Sequence, residues 1–189
     1  VLDIPGPVDH VISLVPAAAT PQLVADCAAK GVKTVQFFTA GFAETGEEKE
    51  SRLQEELIRI ARNGGVRLLG PNCVGIYCPG SRISYCSDFP KTAGRMAFIA
   101  QSGGYTYLAV RMGAGRGVYY SKVISYGNAS DINEADLLEY MAGDPETDII
   151  SAYIEGTRDG QRLLRVLTEA AARKPVIIIK KGRTEAGKK

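Results

Sequence analysis

Residues 97–105 read Ala97-Phe98-Ile99-Ala100-Gln101-Ser102-Gly103-Gly104-Tyr105. A short apolar run with the make-up of a buried strand ends in a Ser-Gly-Gly turn, and a helical pattern from Gly104 to Gly113 follows. Strand, small-residue turn and helix together form the unit from which parallel α/β sheets are built. Glycines let a backbone come close to an anion, and a helix start offers N–H groups that have no partner inside the helix. Ser102 can cap that helix or touch the anion itself. A plain βα turn with no ligand uses the same residues, so the stretch argues for a fold class before it argues for a function.

The same alternation extends in both directions. Upstream, Val8 to Val15 reads as a buried strand, Thr20 to Lys30 as a helix with Pro21 in its first turn, and Val32 to Phe38 as a β-branched and aromatic strand. A charged helix from about Glu47 to Asn63 carries Leu53, Leu57, Ile58, Ile60 and Ala61 on one stripe, and Val66 to Leu69 is the next strand. Downstream come strands at Arg95 to Ala100, Val118 to Ser125, Ile149 to Ile154 and Val176 to Ile179. Helices at Ile132 to Ala142 and Asp159 to Arg173 separate the last three. The strands are near-continuous apolar runs, which predicts helices over both faces of each sheet. Between Pro71 and Pro90 the rhythm breaks into Gly, Pro, Ser and short aromatic pieces, which sets a domain boundary near Pro90. Two doubly wound α/β domains result, 1–90 and 91–189. Ligands of such folds lie at the carboxyl ends of the strands.

Composition narrows the function classes. Twenty-three Lys and Arg against 21 Asp and Glu give a net charge of +2, so the chain as a whole carries no electrostatic signature of nucleic-acid or membrane binding. The last stretch, Lys180-Lys181-Gly182-Arg183 through Lys188-Lys189, is locally basic, and a solvated tail explains it as well as a binding patch does. No apolar run reaches the length of a transmembrane helix, and no signal peptide is read. Cys27, Cys73, Cys78 and Cys86 form no CxxC pair and have no histidine beside them, so no metal site is expected and the thiols are read as reduced, in a cytoplasmic protein. Neither GxxxxGK[ST] nor GxGxxG occurs. The start at Val1 and the end at Lys188-Lys189 are read as those of a fragment of something longer.

Three further stretches join a strand to a small-residue loop. Gly70-Pro71-Asn72-Cys73-Val74-Gly75 is a rigid turn, or a loop at the domain junction that contacts a ligand lying across it. Ser125-Tyr126-Gly127-Asn128-Ala129-Ser130-Asp131-Ile132 places Asp131 as the cap of the next helix, with a second anion contact as the alternative. Tyr153-Ile154-Glu155-Gly156 sets a lone carboxylate at the end of a buried strand, where it serves either a site or a cap. The one histidine, His10, enters an apolar run and reads as a core or strand-entry residue.

Taken in order, Val15-Pro16-Ala17, the 70–75 loop, Gln101-Ser102-Gly103-Gly104, Gly127-Asn128-Ala129-Ser130-Asp131 and Tyr153-Ile154-Glu155-Gly156 resemble the acyl-CoA synthetases of the NDP-forming type, such as ADP-forming acetyl-CoA synthetase. The α subunit of succinyl-CoA synthetase is a more distant match. The resemblance covers the whole chain. It implies an incomplete Rossmann-like CoA-binding domain followed by a flavodoxin-like ligase domain. The reaction implied converts acyl-CoA, phosphate and ADP to acid, CoA and ATP through a phosphohistidine. CoA, phosphate and ATP or ADP with Mg are the cofactors, the nucleotide sitting on a separate ATP-grasp subunit or fused domain. The acid substrate is a carboxylic acid of unspecified chain, and the parent is expected to be oligomeric.

By residue, the resemblance implies a phosphate site at Gln101, Ser102, Gly103 and Gly104. It implies CoA or junction-loop contacts at Pro16, Ala17, Asn72 and Cys73, and a second strand-end loop at Gly127, Asn128 and Ser130. Glu155 is implied as the carboxylate that orients and stabilises the catalytic histidine. The family's Gly-rich first βα unit is not in this sequence. The family's catalytic histidine follows the segment that resembles Lys181 to Gly187, so the fragment alone is expected to be inactive. A non-catalytic CoA-sensing module, as in acetyltransferase fusions, is the competing expectation.

Overall fold

The computed structural model describes residues 1–181. The chain forms two compact units. The first holds Val1–Gly75 together with Tyr126–Ile132, and the second holds Ile76–Ser125 and the chain from Asn133 onward.

In the first unit β1 (His10–Ser13), β2 (Thr34–Phe37) and β3 (Arg67–Leu69) lie side by side in that order, all parallel, connected by α1 (Thr20–Lys30) and α2 (Glu48–Asn63). Pro21 sits in the first turn of α1, where a missing N–H costs nothing, and Gly31 closes that helix in the left-handed region at φ 79°. The core joins Val24 and Cys27 of α1, Val35 and Phe37 of β2, Leu57 and Ala61 of α2, and Leu68 of β3. A methyl group on Gly64 would lie 2.3 Å from the Ala28 side chain, so glycine there is what lets the end of α2 come against α1. The prediction that Val8 to Val15 is buried on both faces does not hold. β1 has a single neighbouring strand, and Ile12 and Leu14 are 53% and 73% exposed.

The second unit is a five-stranded sheet in the order β4-β6-β5-β7-β8. Its strands are β4 (Ile76–Tyr77), β5 (Met96–Ala100), β6 (Tyr120–Ser125), β7 (Ile149–Ile154) and β8 (Val176–Lys180). All pairs are parallel except β4 against β6. The helices are α3 (Gly103–Ala114), α4 (Glu134–Gly143) and α5 (Gly160–Ala171). Every residue of β6 is buried, as predicted for a central strand of a doubly wound sheet. β8 departs from the prediction: it is an edge strand, and Ile177 and Ile179 are 52% and 48% exposed despite an unbroken apolar run. β4 is a two-residue strand inside the segment where the alternation breaks, too short to show a period.

Lys122 on β6 is the one charged side chain in the middle of that buried strand. Its Nζ donates to Asp144 Oδ2 at 2.8 Å and to Glu146 Oε2 at 2.6 Å, and Thr147 Oγ1 donates to the same Asp144 oxygen at 2.7 Å. Among the described residues no helix is long and apolar enough to cross a membrane, and all four cysteines are free.

Candidate functional site

β5 and β7 are adjacent and in register, Ala100 opposite Tyr153, so the chain leaves both strands side by side. Gln101, the first residue past β5, ties the two exits together. Its N–H donates to Tyr153 O at 3.2 Å, and its side-chain oxygen accepts the N–H groups of Glu155 and, at 2.9 Å, Gly156. Neighbouring strands are about 4.8 Å apart. The start of α3 and the Glu155 backbone are therefore held at one strand spacing by a side chain that closes a bridge between them.

Ser102 is the cap of α3, its Oγ accepting Tyr105 N–H at 3.3 Å. A methyl group on Gly104 would meet nothing nearer than Ser102 Oγ at 3.9 Å, so open space lies against this helix start. The first N–H groups of a helix lack intrahelical acceptors, and the helix dipole is positive at this end. The residues present offer backbone donors to an anion at this helix start.

Glu155 is partly exposed, at 41% for its side chain. Tyr153 OH donates to Glu155 Oε1 at 3.1 Å, and Lys181 Nζ lies 3.6 Å from the same oxygen. Tyr105 of α3 stacks on Tyr153 with ring centroids 4.2 Å apart and planes 12° from parallel. Burial first, and then the Glu155 carboxylate beside it, push the Tyr153 phenol above its ordinary value, which keeps its proton available as a donor. Glu155 is not the cap of α5. Asp159 caps it, its carboxylate accepting Arg162 N–H at 2.9 Å. Tyr153 precedes Glu155 by two residues, so the period of a strand places both side chains on one face, and that spacing was readable. The stacked Tyr105 and the amines of Lys180 and Lys181 around Glu155 were not, because each comes from an element distant in sequence.

The remaining predicted residues fall in the first unit. Pro16 and Ala17 follow the exit of β1, Pro16 leading into a short 3-10 turn. Asn72 is exposed with a left-handed backbone at φ 57°, next to the cis Gly70–Pro71 peptide. Cys73 is 2% exposed and its Sγ lies 3.5 Å from Phe37 O; burial pushes its thiol up to about 12. The thiol is a core group, and the backbone N–H of Cys73 is also turned inward, donating to Phe37 O at 3.3 Å. Gly127, Asn128 and Ser130 pack on the 70–72 loop. A methyl group on Gly127 would lie 2.2 Å from Pro71 O, Asn128 N donates to Pro71 O at 3.0 Å, and Ser130 Oγ donates to Gly70 O at 2.8 Å. Asn128 Nδ2 also donates to Gln54 Oε1 at 3.1 Å and to Glu44. The polar groups of this loop are engaged by the first unit.

Asp131 corrects an expectation. It does not cap the following helix, which starts at Glu134. Asn133 is the cap, accepting from Ala135 N at 2.9 Å and Asp136 N at 3.3 Å, while Asp136 returns the bond to Asn133 N at 3.1 Å. Asp131 instead accepts Leu68 N at 2.8 Å and Arg67 Nε at 2.9 Å, because residues 126–132 belong to the first unit and stop where α4 begins. His10 bonds Thr34 Oγ1 through Nδ1 at 2.7 Å, and burial lowers its pKa. Among the described residues no group of three His, Cys, Asp or Glu could hold a metal. The segment 182–189, matched above to the approach to the family's histidine loop, lies outside the described residues.

Two family models match the chain: a CoA binding domain over residues 1–79 and a succinyl-CoA ligase like flavodoxin domain over residues 93–189. The ADP-forming acetate–CoA ligase I of Archaeoglobus fulgidus is 40% identical over 192 residues, covering all of this chain and 28% of that protein. The α subunit of the ADP-forming acetate–CoA ligase II of Pyrococcus furiosus is 42% identical over 99% of the chain and 41% of the subunit. Among solved structures, the dinucleotide forming acetyl-coenzyme A synthetase 1 of Ca. Korarchaeum cryptofilum, in complex with phosphate and ADP, superposes with a TM-score of 0.90 at 35% identity over 99% of the chain and 40% of that protein. The chain thus spans well under half the length of these relatives.

Proposed function

The chain belongs to the NDP-forming acyl-CoA synthetases, carrying a CoA-binding domain and a succinyl-CoA-ligase-like flavodoxin domain, and from that premise we propose that it is the phosphate- and CoA-handling part of an enzyme that interconverts acyl-CoA, phosphate and ADP with acid, CoA and ATP. The observation that carries the reading is the Gln101 bridge, which fixes an open helix start and a carboxylate at adjacent strand ends.

In this reading the N–H groups of Ser102, Gly103 and Gly104 hold the phosphate, with Gln101 setting the turn. Glu155, held by Tyr153 OH, orients an incoming imidazole by accepting from one ring nitrogen, which leaves the other free toward the phosphate. The carboxylate also favours the positive charge that develops on the ring. His10 does not supply that imidazole, since its Nδ1 is committed to Thr34. Pro16, Ala17 and Asn72 contact CoA, and Cys73 anchors the junction loop in the core. Gly127, Asn128 and Ser130 brace the loop that carries Asn72. CoA supplies the thiol that leaves or attacks the acyl carbon. ATP or ADP with Mg belongs to an ATP-grasp subunit or domain outside this chain, in an oligomeric, cytoplasmic enzyme.

The test is phosphate binding by the chain itself, followed by calorimetry or ³¹P line broadening. Saturable binding that Gly103→Val abolishes, with an unchanged melting temperature, is the expected result. Binding of equal strength in the variant refutes the cradle.

A further inference from the structure

Glu155 sits one residue past the end of β7, where the ladder closes with Ile154 opposite Lys180 of β8. A residue beyond the ladder has lost the strand bonds that fix a backbone, and a glutamate side chain has three further torsions to order. A carboxylate that has to meet a ring nitrogen to within about 0.5 Å needs both fixed.

Both neighbouring strands supply a side chain for this. From β5, Gln101 Oε1 accepts the N–H groups of Glu155 and Gly156. From β8, Lys180 Nζ donates to Glu155 O at 2.6 Å and to Lys181 O at 2.6 Å, while Lys181 N donates to Ile154 O at 3.0 Å. The Lys180 amine thus ties the exits of β7 and β8 as the Gln101 amide ties those of β5 and β7, and Glu155 is held at its N–H and at its C=O. Its carboxylate is then set at Oε1 by Tyr153 OH, with Lys181 Nζ beside the same oxygen, and the Tyr153 ring is held by its stack with Tyr105. Oε2 is left without a hydrogen-bond partner among the described residues. A lysine on an edge strand ordinarily guards against strand addition with its amine in water. Here the amine turns back onto two carbonyls in charge-assisted bonds, one of them to a carbonyl that takes no part in the β7–β8 ladder.

We propose that Lys180 is a positioning residue of the site. It acts on the reaction through Glu155, holding the Glu155 carbonyl while Gln101 holds the N–H, so that the unpartnered Oε2 is presented to the imidazole at one fixed place. The inference rests on the role given to Glu155 above and adds the group that aims it.

A double-mutant cycle in the complete enzyme tests it: Lys180→Met, Glu155→Gln and the two together, read by the rate of phosphohistidine formation. Lys180→Met is expected to slow formation about ten- to a hundredfold at saturating phosphate, with KM for phosphate and melting temperature nearly unchanged. Once Glu155 is Gln, Lys180→Met should have no further effect, because the two act as one unit. Lys180→Arg keeps a cation with donors for both carbonyls and should recover most of the rate. In the 189-residue chain, Lys180→Met should speed hydrogen exchange at Glu155 and Gly156 about tenfold and leave the amides inside β7 and β8 protected. An unchanged rate in Lys180→Met, or a loss that simply adds to that of Glu155→Gln, overturns the inference and leaves the role of Glu155 standing. A loss that tracks a lower melting temperature, with exchange raised all along β8, makes Lys180 a staple of the edge strand and overturns it as well. Normal phosphohistidine formation in Glu155→Gln overturns the reading of Glu155 itself, and the role of Lys180 with it.

Discussion

Replacing Lys122 by Met tests whether the charge buried in β6 is held by its partner or by water. The Lys122 and Asp144 side chains are 11% and 6% exposed, so their pairing takes place away from solvent screening; the second partner, Glu146, is 63% exposed and contributes little. Losing the amine leaves Asp144 buried with only the Thr147 hydroxyl and the Glu146 N–H to hold its charge. Breaking one side of such a pair costs about 3–5 kcal/mol. In a chain of this size that is a fall of roughly 6–20 °C in melting temperature, read by calorimetry or circular dichroism at pH 7. Removing both charges, as Lys122→Met with Asp144→Leu, should return most of the loss, because the penalty lies in the stranded carboxylate.

The pH dependence carries its own sign. Burial pulls the Lys122 pKa down, but bonds to Asp144 and Glu146 outweigh it and leave the amine above its ordinary 10.5. Its contribution is thus complete below pH 10.5 and is lost as pH rises through the folded value. Burial pushes Asp144 up, yet its bonds from Lys122 and Thr147 outweigh that and leave it below its ordinary 3.8. That contribution is complete above pH 3.8 and is lost as pH falls through the folded value. The single variant should behave differently: Asp144 without its cation takes a proton more readily, so the deficit relative to the parent shrinks toward acid. A deficit under about 1 kcal/mol that is flat with pH, with no recovery in the double variant, refutes the account.

In the complete enzyme, Glu155→Gln should lower phosphohistidine formation by about 10²–10³ and leave CoA binding and melting temperature nearly unchanged, since Asp159 and not Glu155 caps α5. A variant that is destabilised but phosphorylated at the normal rate would remove Glu155 from the site. Asn133→Ala should cost about 1 kcal/mol and speed hydrogen exchange at Ala135 and Asp136. Asp131→Ala should instead speed exchange at Leu68, whose N–H it releases, and leave the start of α4 protected. Exposure of the α4 amides in Asp131→Ala would restore Asp131 as the cap.

The sequence by itself determined the elements and the fold class. α1 starts and stops at Thr20 and Lys30 as read, because Pro21 and Gly31 act through local backbone geometry that no tertiary contact needs to supply. β7 spans Ile149–Ile154 as read, because a central parallel strand covered on both faces reads as a near-continuous apolar run. The strand-end positions of Ser102 and Glu155 were legible for the same reason: they follow from chain order and alternation alone. What the tertiary structure decided is every pairing across sequence distance. Gln101 bridging to Glu155, Tyr105 stacking on Tyr153 and Asp131 serving Leu68 instead of α4 join residues that no local period relates. The exposed apolar edges β1 and β8 were decided there too, since a run of Val and Ile looks the same at the centre of a sheet as at its rim. The assignment of 126–132 to the first unit lay furthest from sequence reasoning. It depends on Gly127 admitting the backbone of Pro71 to within van der Waals contact, and a glycine in a sequence shows that a close approach is allowed without showing what approaches.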